Sequence, residues 1–308
     1  MKAASGDPGP VDSIDQVQSA MRAQGYIADR ALATAVFLSI RLGKPLLLEG
    51  EAGVGKTEVA KTLTAMLDTD LIRLSCYEGL DINHAVYEWN YARQMLEIRL
   101  VEAAGTSKKY SVRDLFGPEF LIRRPLLQAV EYPQNHHGAQ PVLLIDEIDR
   151  ADEEFEAFLL ELLSEFQITV PEIGTIRATR PPLVILTSNR TRDLHDALKR
   201  RCLYHWIEYP PPEKEVQIIS ARLPNAPATL SGQVSRFMAQ LRQADLYKVP
   251  GVSETLDWIA ALLALDQAAL TPEGVDATLG VLLKHQEDIV QIRGVQSSRL
   301  VAVATELD

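Results

Sequence analysis

Gly50, Glu51, Ala52, Gly53, Val54, Gly55, Lys56 and Thr57 spell GxxxxGK[ST], directly after an apolar run and directly before a helical pattern. Phosphate oxygens need several donors converging from one side. A glycine-permissive loop can turn its backbone N–H groups inward, and the helix behind it points its positive dipole end at the same place. Lys56 would neutralise the outer phosphates and the Thr57 hydroxyl would be a magnesium ligand. The complementary chemistry lies at Val142, Leu143, Leu144, Ile145, Asp146, Glu147, an apolar strand that ends in two carboxylates. Open parallel sheets bind ligands at the carboxyl ends of their strands. Asp146 is therefore expected to face the Mg2+ held by Thr57, and Glu147 to act as base on a water in line with the terminal phosphorus. The two sets together predict hydrolysis of ATP, whereas the loop alone would predict binding only.

Weaker candidates follow along the chain. Asn189 comes just after the apolar run Leu183–Leu186, where an amide could position the attacking water; taken by itself, Asn there is more often a turn former. The run Lys199, Arg200, Arg201 is either a solvated face or a source of an arginine finger for a neighbouring subunit's site. His136 and His137 lie in a loop with no further ligand at metal spacing, so a solvent-exposed loop is the expectation. Tyr77, Trp89 and Tyr91 are expected in core packing, with a partner-facing surface as the alternative.

The elements that must position these groups can be read from periodicity. Apolar residues recur at helical spacing over Ile14–Gly25 and Ala28–Leu42. Strand-length apolar runs then appear at Pro45–Leu48, Leu71–Cys76, Val142–Ile145 and Leu183–Leu186, separated by helical stretches, which predicts a parallel sheet with helices on both faces. The stretch Tyr77–Gln140, with Tyr110 and Phe116 among its aromatics, is longer than one crossover helix and reads as an insertion. Gln167–Val170 and Thr175–Arg177, after a helix over Asp152–Phe166, read as a small hairpin. Beyond Pro210, Pro211 and Pro212 the pattern is helical over Glu213–Leu223, Leu230–Leu246, Ser253–Leu265 and Thr271–Ile289. The expected division is a disordered tail over 1–12, an α/β nucleotide-binding domain over 13–211 and a small all-helical lid domain over 212–308.

Bulk properties narrow the partners. A formal net charge of −11 opposes nucleic acid and anionic membranes at long range. Two cysteines far apart form neither a disulfide framework nor a zinc spacing, which fits a cytoplasmic location, and no apolar stretch is long enough for a membrane span.

With these elements in order, the chain resembles an AAA+ ATPase of the MoxR group from about Ala28 to Ile289. The segments CYEGLDINHAVYEWNYARQMLEIRL at Cys76–Leu100, LLIDEIDRADEEFEAFLLELLSEFQITVPEIGTIRA at Leu143–Ala178 and TSNRTRDLHDALKRRCLYHWIEYP at Thr187–Pro210 resemble its CoxD-like branch. The resemblance implies a P-loop fold and a hexameric ring acting as a chaperone on a protein client, here in the maturation of a molybdenum-containing hydroxylase such as aerobic carbon monoxide dehydrogenase. A von Willebrand factor A domain protein would be a fitting co-chaperone. The resemblance gives Asn189 the sensor role and Arg201 the finger role, with Arg200 as the alternative because Cys202 stands where many relatives have Phe. The lid motif Gly, small, Ser, any residue, Arg reads here as Gly251, Val252, Ser253, Glu254, Thr255, without the guanidinium. Two other readings compete: a nucleic-acid motor, opposed by the acidic balance and the lack of a DNA-binding motif, and a nucleotide-gated scaffold that hardly hydrolyses, motivated by the missing arginine.

Overall fold

The computed structural model describes residues 11–103 and 115–306. Most of the tail expected over 1–12 lies outside the described residues, as does Tyr110. In chain order the elements are α1 (Ile14–Ala23), α2 (Arg30–Leu42), β1 (Leu46–Gly50), α3 (Lys56–Leu67), β2 (Leu71–Ser75), α4 (Ile82–Ala85), β3 (Tyr87–Trp89), α5 (Tyr91–Ala103), β4 (Leu121–Arg123), α6 (Pro125–Asn135) and β5 (Val142–Asp146). Short 3-10 turns lie at Pro118–Phe120, before β4, and at Ile148–Arg150, before α7 (Glu153–Glu165), β6 (Gln167–Val170), β7 (Gly174–Arg177), β8 (Leu183–Ser188), α8 (Asp196–Arg201) and β9 (Leu203–Ile207). Helices follow: α9 (Pro212–Arg222), α10 (Ala228–Leu241), α11 (Val252–Ala264), α12 (Pro272–Leu282), α13 (Gln286–Ile292) and α14 (Val295–Thr305). Among the described residues no helix is long and apolar enough to cross a membrane.

Five strands form one parallel sheet in the order β2-β5-β8-β1-β9. β5 pairs in parallel with β2, from Leu71↔Val142 to Ser75↔Asp146, and with β8, from Val142↔Leu183 to Ile145↔Leu186. Every residue of β5 and β8 is buried. That is why both read as unbroken apolar runs: helices cover both faces and leave no solvent side to alternate toward. The edge strand β9, Leu-Tyr-His-Trp-Ile, is half-exposed, and its mixed composition kept it out of the apolar pattern.

The chain forms two compact units, one chiefly of Thr34–Leu48 and Leu63–His205, the other of Ser13–Ala33, Glu49–Thr62 and Trp206–Asp308. In the first, Leu74, Leu127, Leu143, Ile145, Phe155, Leu159 and Leu186 belong to one apolar core. The α7 helix starts where the Asp152 carboxylate accepts the Phe155 N–H at 2.8 Å and carries Glu153, Glu154 and Glu156 in its first turn, favourable at the positive end of a helix. It ends at Phe166, whose left-handed backbone (φ 47°) turns the chain into the antiparallel hairpin β6–β7, as the sequence predicts. The stretch expected as an insertion holds α4, α5, α6 and the antiparallel pair β3–β4. Trp89 is in the core, edge-on to Phe116 at 5.0 Å, while Tyr77 and Tyr91 are exposed, so the aromatics divide between the two expected fates.

The second unit has its own core, with Ile219, Phe237, Met238, Trp258, Leu262 and Leu279 fully buried. The Trp258 indole N–H donates to Thr278 Oγ1 at 2.7 Å, satisfying the one polar atom that so large a side chain carries inward. The helix expected over Thr271–Ile289 is two helices, because Leu283 is extended (φ −102°, ψ 131°) and stops α12. The helix expected to reach Leu246 ends at Leu241.

Candidate active site

The phosphate-loop residues lie in the second unit. Gly50, Gly53 and Gly55 have φ of 154°, 76° and 94°. At Gly50 a Cβ would fall 2.3 Å from the Ile207 carbonyl oxygen, so only glycine fits the bend out of β1. Lys56 opens α3 and is 7 % exposed; its Nζ donates to the carbonyls of Gly50 (2.7 Å) and Glu51 (2.6 Å). The ammonium is thus held inside the curl of the loop. Thr57 follows it in the first turn of α3.

The start of α11 abuts the tip of this loop. Val252 N–H donates to the Gly53 carbonyl at 2.9 Å, and a Cβ on Gly251 would lie 2.7 Å from the Gly53 Cα. Glu254 accepts the Gly251 N–H at 3.0 Å and so caps α11 from within. At Thr255, where the resemblance would have an arginine, the side chain is fully buried and Oγ1 donates to Glu215 at 2.8 Å. Glu215 in turn accepts two bonds from Arg242, at 2.9 and 2.7 Å, and the Arg242 guanidinium also donates to Thr255 Oγ1 at 3.1 Å. Arg242 lies 4.9 Å from the centre of the Tyr209 ring. Burial, and next the charge of Glu51, push the Tyr209 hydroxyl up to about 12. The basic group nearest position 255 is therefore committed to a buried ion pair.

The acidic residues lie in the first unit. Asp146 is 3 % exposed at the end of β5. Its Oδ2 accepts from Arg73 at 2.5 Å and its Oδ1 from the Thr187 hydroxyl at 2.6 Å. Thr187 Oγ1 also accepts the Glu147 N–H at 2.9 Å, so one hydroxyl on β8 ties together the two acids ending β5. Glu147 adopts a left-handed backbone (φ 55°, ψ 49°), an uncommon and costly conformation for a residue with a Cβ. It turns the chain sharply, and the carboxylate, 44 % exposed, pairs with Arg150 at 3.1 Å. Asn189 is half-buried in the loop after β8. Arg200 and Arg201 lie in the last turn of α8, both exposed, and Arg201 donates to the Leu160 carbonyl at 2.9 Å. His136 stacks on Tyr132, ring centres 3.8 Å apart.

Cys76 follows β2 beside these acids and is 2 % exposed. Burial first, then the charges of Asp146, Asp149 and Glu147, push its thiol up to about 12; burial does the same for Cys202. A raised thiol stays protonated as pH rises, and the thiolate is the reactive form. At pH 8, an aromatic disulfide reagent is expected to leave Cys76 untouched in the native protein and to modify it once guanidinium unfolds the chain. Fast native labelling, located by peptide mass, would contradict this placement.

A model of the AAA domain (dynein-related subfamily) matches residues 45–202, more than half of the chain and all of it from β1 through α8. The chain belongs to this AAA family. This AAA protein is 26 % identical over 230 residues to an uncharacterized Staphylococcus haemolyticus protein, covering 73 % of this chain and 77 % of the relative. It is 26 % identical over 174 residues to an uncharacterized Staphylococcus aureus protein, covering 54 % and 57 % respectively. Among solved structures it is similar to a Cytophaga hutchinsonii protein described as a candidate ATPase, at 15 % identity and a TM-score of 0.48 over 94 % of this chain and 92 % of the other. It is also similar to Thermotoga maritima RuvB, at 16 % identity and a TM-score of 0.45 over 88 % and 71 %.

Three residues of the AAA domain escaped the sequence reading although they touch the acid pair or its neighbours. Thr187 looked like part of a polar strand end. Arg73 had a visible signal, since a lone guanidinium inside the apolar run Leu71–Ser75 needs a partner, and that partner is Asp146. Asp149 had none, because an acid two places beyond Glu147 resembles any polar turn residue.

Proposed function

We propose that this AAA protein is a Mg2+-dependent ATPase, converting ATP and water to ADP and phosphate, and that it works as a ring. One juxtaposition carries the hydrolytic reading. The GxxxxGKT loop leaves the end of β1 and the acid pair ends β5, two strands of one parallel sheet with only β8 between them. Ligands of such sheets sit beyond the carboxyl ends of the strands, so the proposal brings both sets of residues to one phosphate chain.

The donor set fits a nucleotide with its metal. Gly50, Gly53 and Gly55 all have positive φ, the backbone that lets loop N–H groups converge on an anion, and Thr57 and Asp146 offer the hard oxygens that Mg2+ prefers. These two residues would hold the ion, which when bound neutralises charge on the phosphate oxygens. Lys56 leaves its loop carbonyls for the outer phosphates. Glu147 takes a proton from the attacking water, Asn189 orients that water, and Arg201 stabilises developing charge in the site of the neighbouring subunit.

Replacing Lys56 by Ala is expected to weaken ATP binding at least about 100-fold, because a charge-assisted contact and a loop anchor go together. Titration with a fluorescent nucleotide reads this directly, and parent-like affinity in the variant would sink the site assignment.

The wider role rests on the MoxR-like and CoxD-like segments. We place the protein in the cytoplasm as a chaperone ring, hexameric as in that group, which remodels a molybdenum hydroxylase during its maturation, with a von Willebrand factor A domain protein as helper. Residues 13–211 form the nucleotide-binding part in this reading and 212–308 the lid. The supporting measurement is stimulation of hydrolysis by the immature hydroxylase and none by DNA in low salt; the reverse pattern would favour a nucleic-acid motor. One observation favours the weakly hydrolysing scaffold instead: Thr255 is sealed against Glu215 and Arg242, so position 255 brings no cation of its own to a phosphate. Sustained turnover by the assembled protein excludes that alternative.

A further inference from the structure

Asp149 has no part in the chemistry set out above, yet it is among the most buried charges of the first unit, at 2 % exposure. It lies two residues past Glu147, within the 3-10 turn. Its Oδ2 accepts three bonds from the loop after β8: from the Asn189 N–H at 3.2 Å, the Thr191 N–H at 2.9 Å and the Thr191 hydroxyl at 2.8 Å. Between those donors stands Arg190 with a left-handed backbone (φ 57°), its own N–H donated to Ser188 Oγ at 3.0 Å. The loop that carries Asn189 is therefore a tight turn closed on a single carboxylate oxygen.

The other end of the connection is equally constrained. Glu147 is itself left-handed, its N–H is bound to Thr187 Oγ1, and the Arg150 N–H returns to its carbonyl at 2.9 Å. Two strained residues, one before Asp149 and one across from it, are thus referenced to the same turn. Charge-assisted bonds to backbone N–H groups are strong enough to hold such conformations. The second oxygen of Asp149, Oδ1, is buried and has no hydrogen-bond partner among the described residues. A half-satisfied buried carboxylate lowers stability, so a purely structural role would be better served by a fully bonded or an apolar residue.

We infer that Asp149 is a positioning residue: it fixes the sensor Asn189 relative to the base Glu147 by binding the N–H groups on both sides of Arg190. The inference rests on the hydrolytic reading proposed above. It says that Asp149 acts through Asn189 and not through nucleotide binding, since none of its partners belongs to the phosphate loop.

The test is a mutant cycle measured as kcat and as ATP affinity. Asp149→Ala is expected to lower kcat on the order of 30-fold, with affinity within about 3-fold of the parent, as the loop relaxes and its N–H groups lose their acceptor. Asp149→Asn keeps a carbonyl acceptor and is expected to lie within about 5-fold of the parent. Residues acting as a unit are non-additive, so Asp149→Ala added to Asn189→Ala should cost almost nothing further. Multiplying losses, a full rate in Asp149→Ala, or a full rate in Asn189→Ala each overturn the inference. Should Asp149→Ala fail to fold by circular dichroism, the smaller loss in Asp149→Asn must vanish in the Asn189→Ala background, and its persistence overturns the inference just as well. Glu147→Gln separates the two levels. If it is inactive while the Asp149 variants run at full rate, only the positioning role falls; if it hydrolyses normally, the ATPase reading falls with it.

Discussion

A Glu147→Gln chain is expected to bind ATP as tightly as the parent and to hydrolyse it at least about 10³-fold more slowly, the loss that follows when a general base is replaced by an isosteric amide. Gln has the shape of Glu but cannot accept the proton of the attacking water, so the ground state is spared and the transition state is not. Nucleotide affinity should hold because the loop Gly50–Thr57 is untouched. The ion pair between Glu147 and Arg150 does not oppose this role. Both side chains are about half exposed, and pairs of that kind contribute on the order of 0–1 kcal/mol, so the carboxylate turns toward water at little cost. Phosphate release under single-turnover conditions, beside a fluorescent nucleotide titration, measures both halves. A variant that retains a tenth or more of the parent rate would place the base elsewhere.

The second large effect is at Arg201. Its replacement by Ala is expected to cost on the order of 10³-fold in turnover with nucleotide affinity preserved, the scale on which an arginine finger acts. Arg201 already spends one N–H on the Leu160 carbonyl, which anchors the base of the guanidinium on α7 and leaves its other donors for a neighbour. If the finger works in trans, mixing inactive Arg201→Ala with inactive Glu147→Gln should restore activity. In a mixed ring, some subunits with an intact base then face a neighbour with an intact arginine. An inert mixture would sink the trans assignment, and loss of turnover in Arg200→Ala in place of Arg201→Ala would move the finger one residue along α8.

Why the proposed catalytic residues were legible, and some of their supports were not, follows from the kind of signal each leaves. The glycine loop is dictated by backbone angles that other residues avoid, and β5 by burial on both faces, so both write themselves into local composition. Asp146 and Glu147 stand out because two charges follow four apolar residues. The supports are set by contacts between distant strands. Thr187 accepts from Glu147 and donates to Asp146, forty residues away, and nothing near Thr187 marks that role. β9 was missed because an edge strand needs only one covered side, and the break between α12 and α13 because Leu283 fits a helical pattern while adopting an extended backbone. That position 255 carries no guanidinium is plain in the sequence, but only the structure shows the hydroxyl of Thr255 enclosed by Glu215 and Arg242.

A Cβ on Gly53 would fall 3.1 Å from the Gly251 Cα and 2.9 Å from a Glu254 carboxylate oxygen, so loop and helix meet backbone to backbone. Backbone packed this closely leaves little slack, so a shift of α11 by even a methyl's width must reshape the curl in which a phosphate would lie. Evolution can therefore retune the grip on nucleotide by altering residues far along that helix, while these two positions stay closed to any larger amino acid.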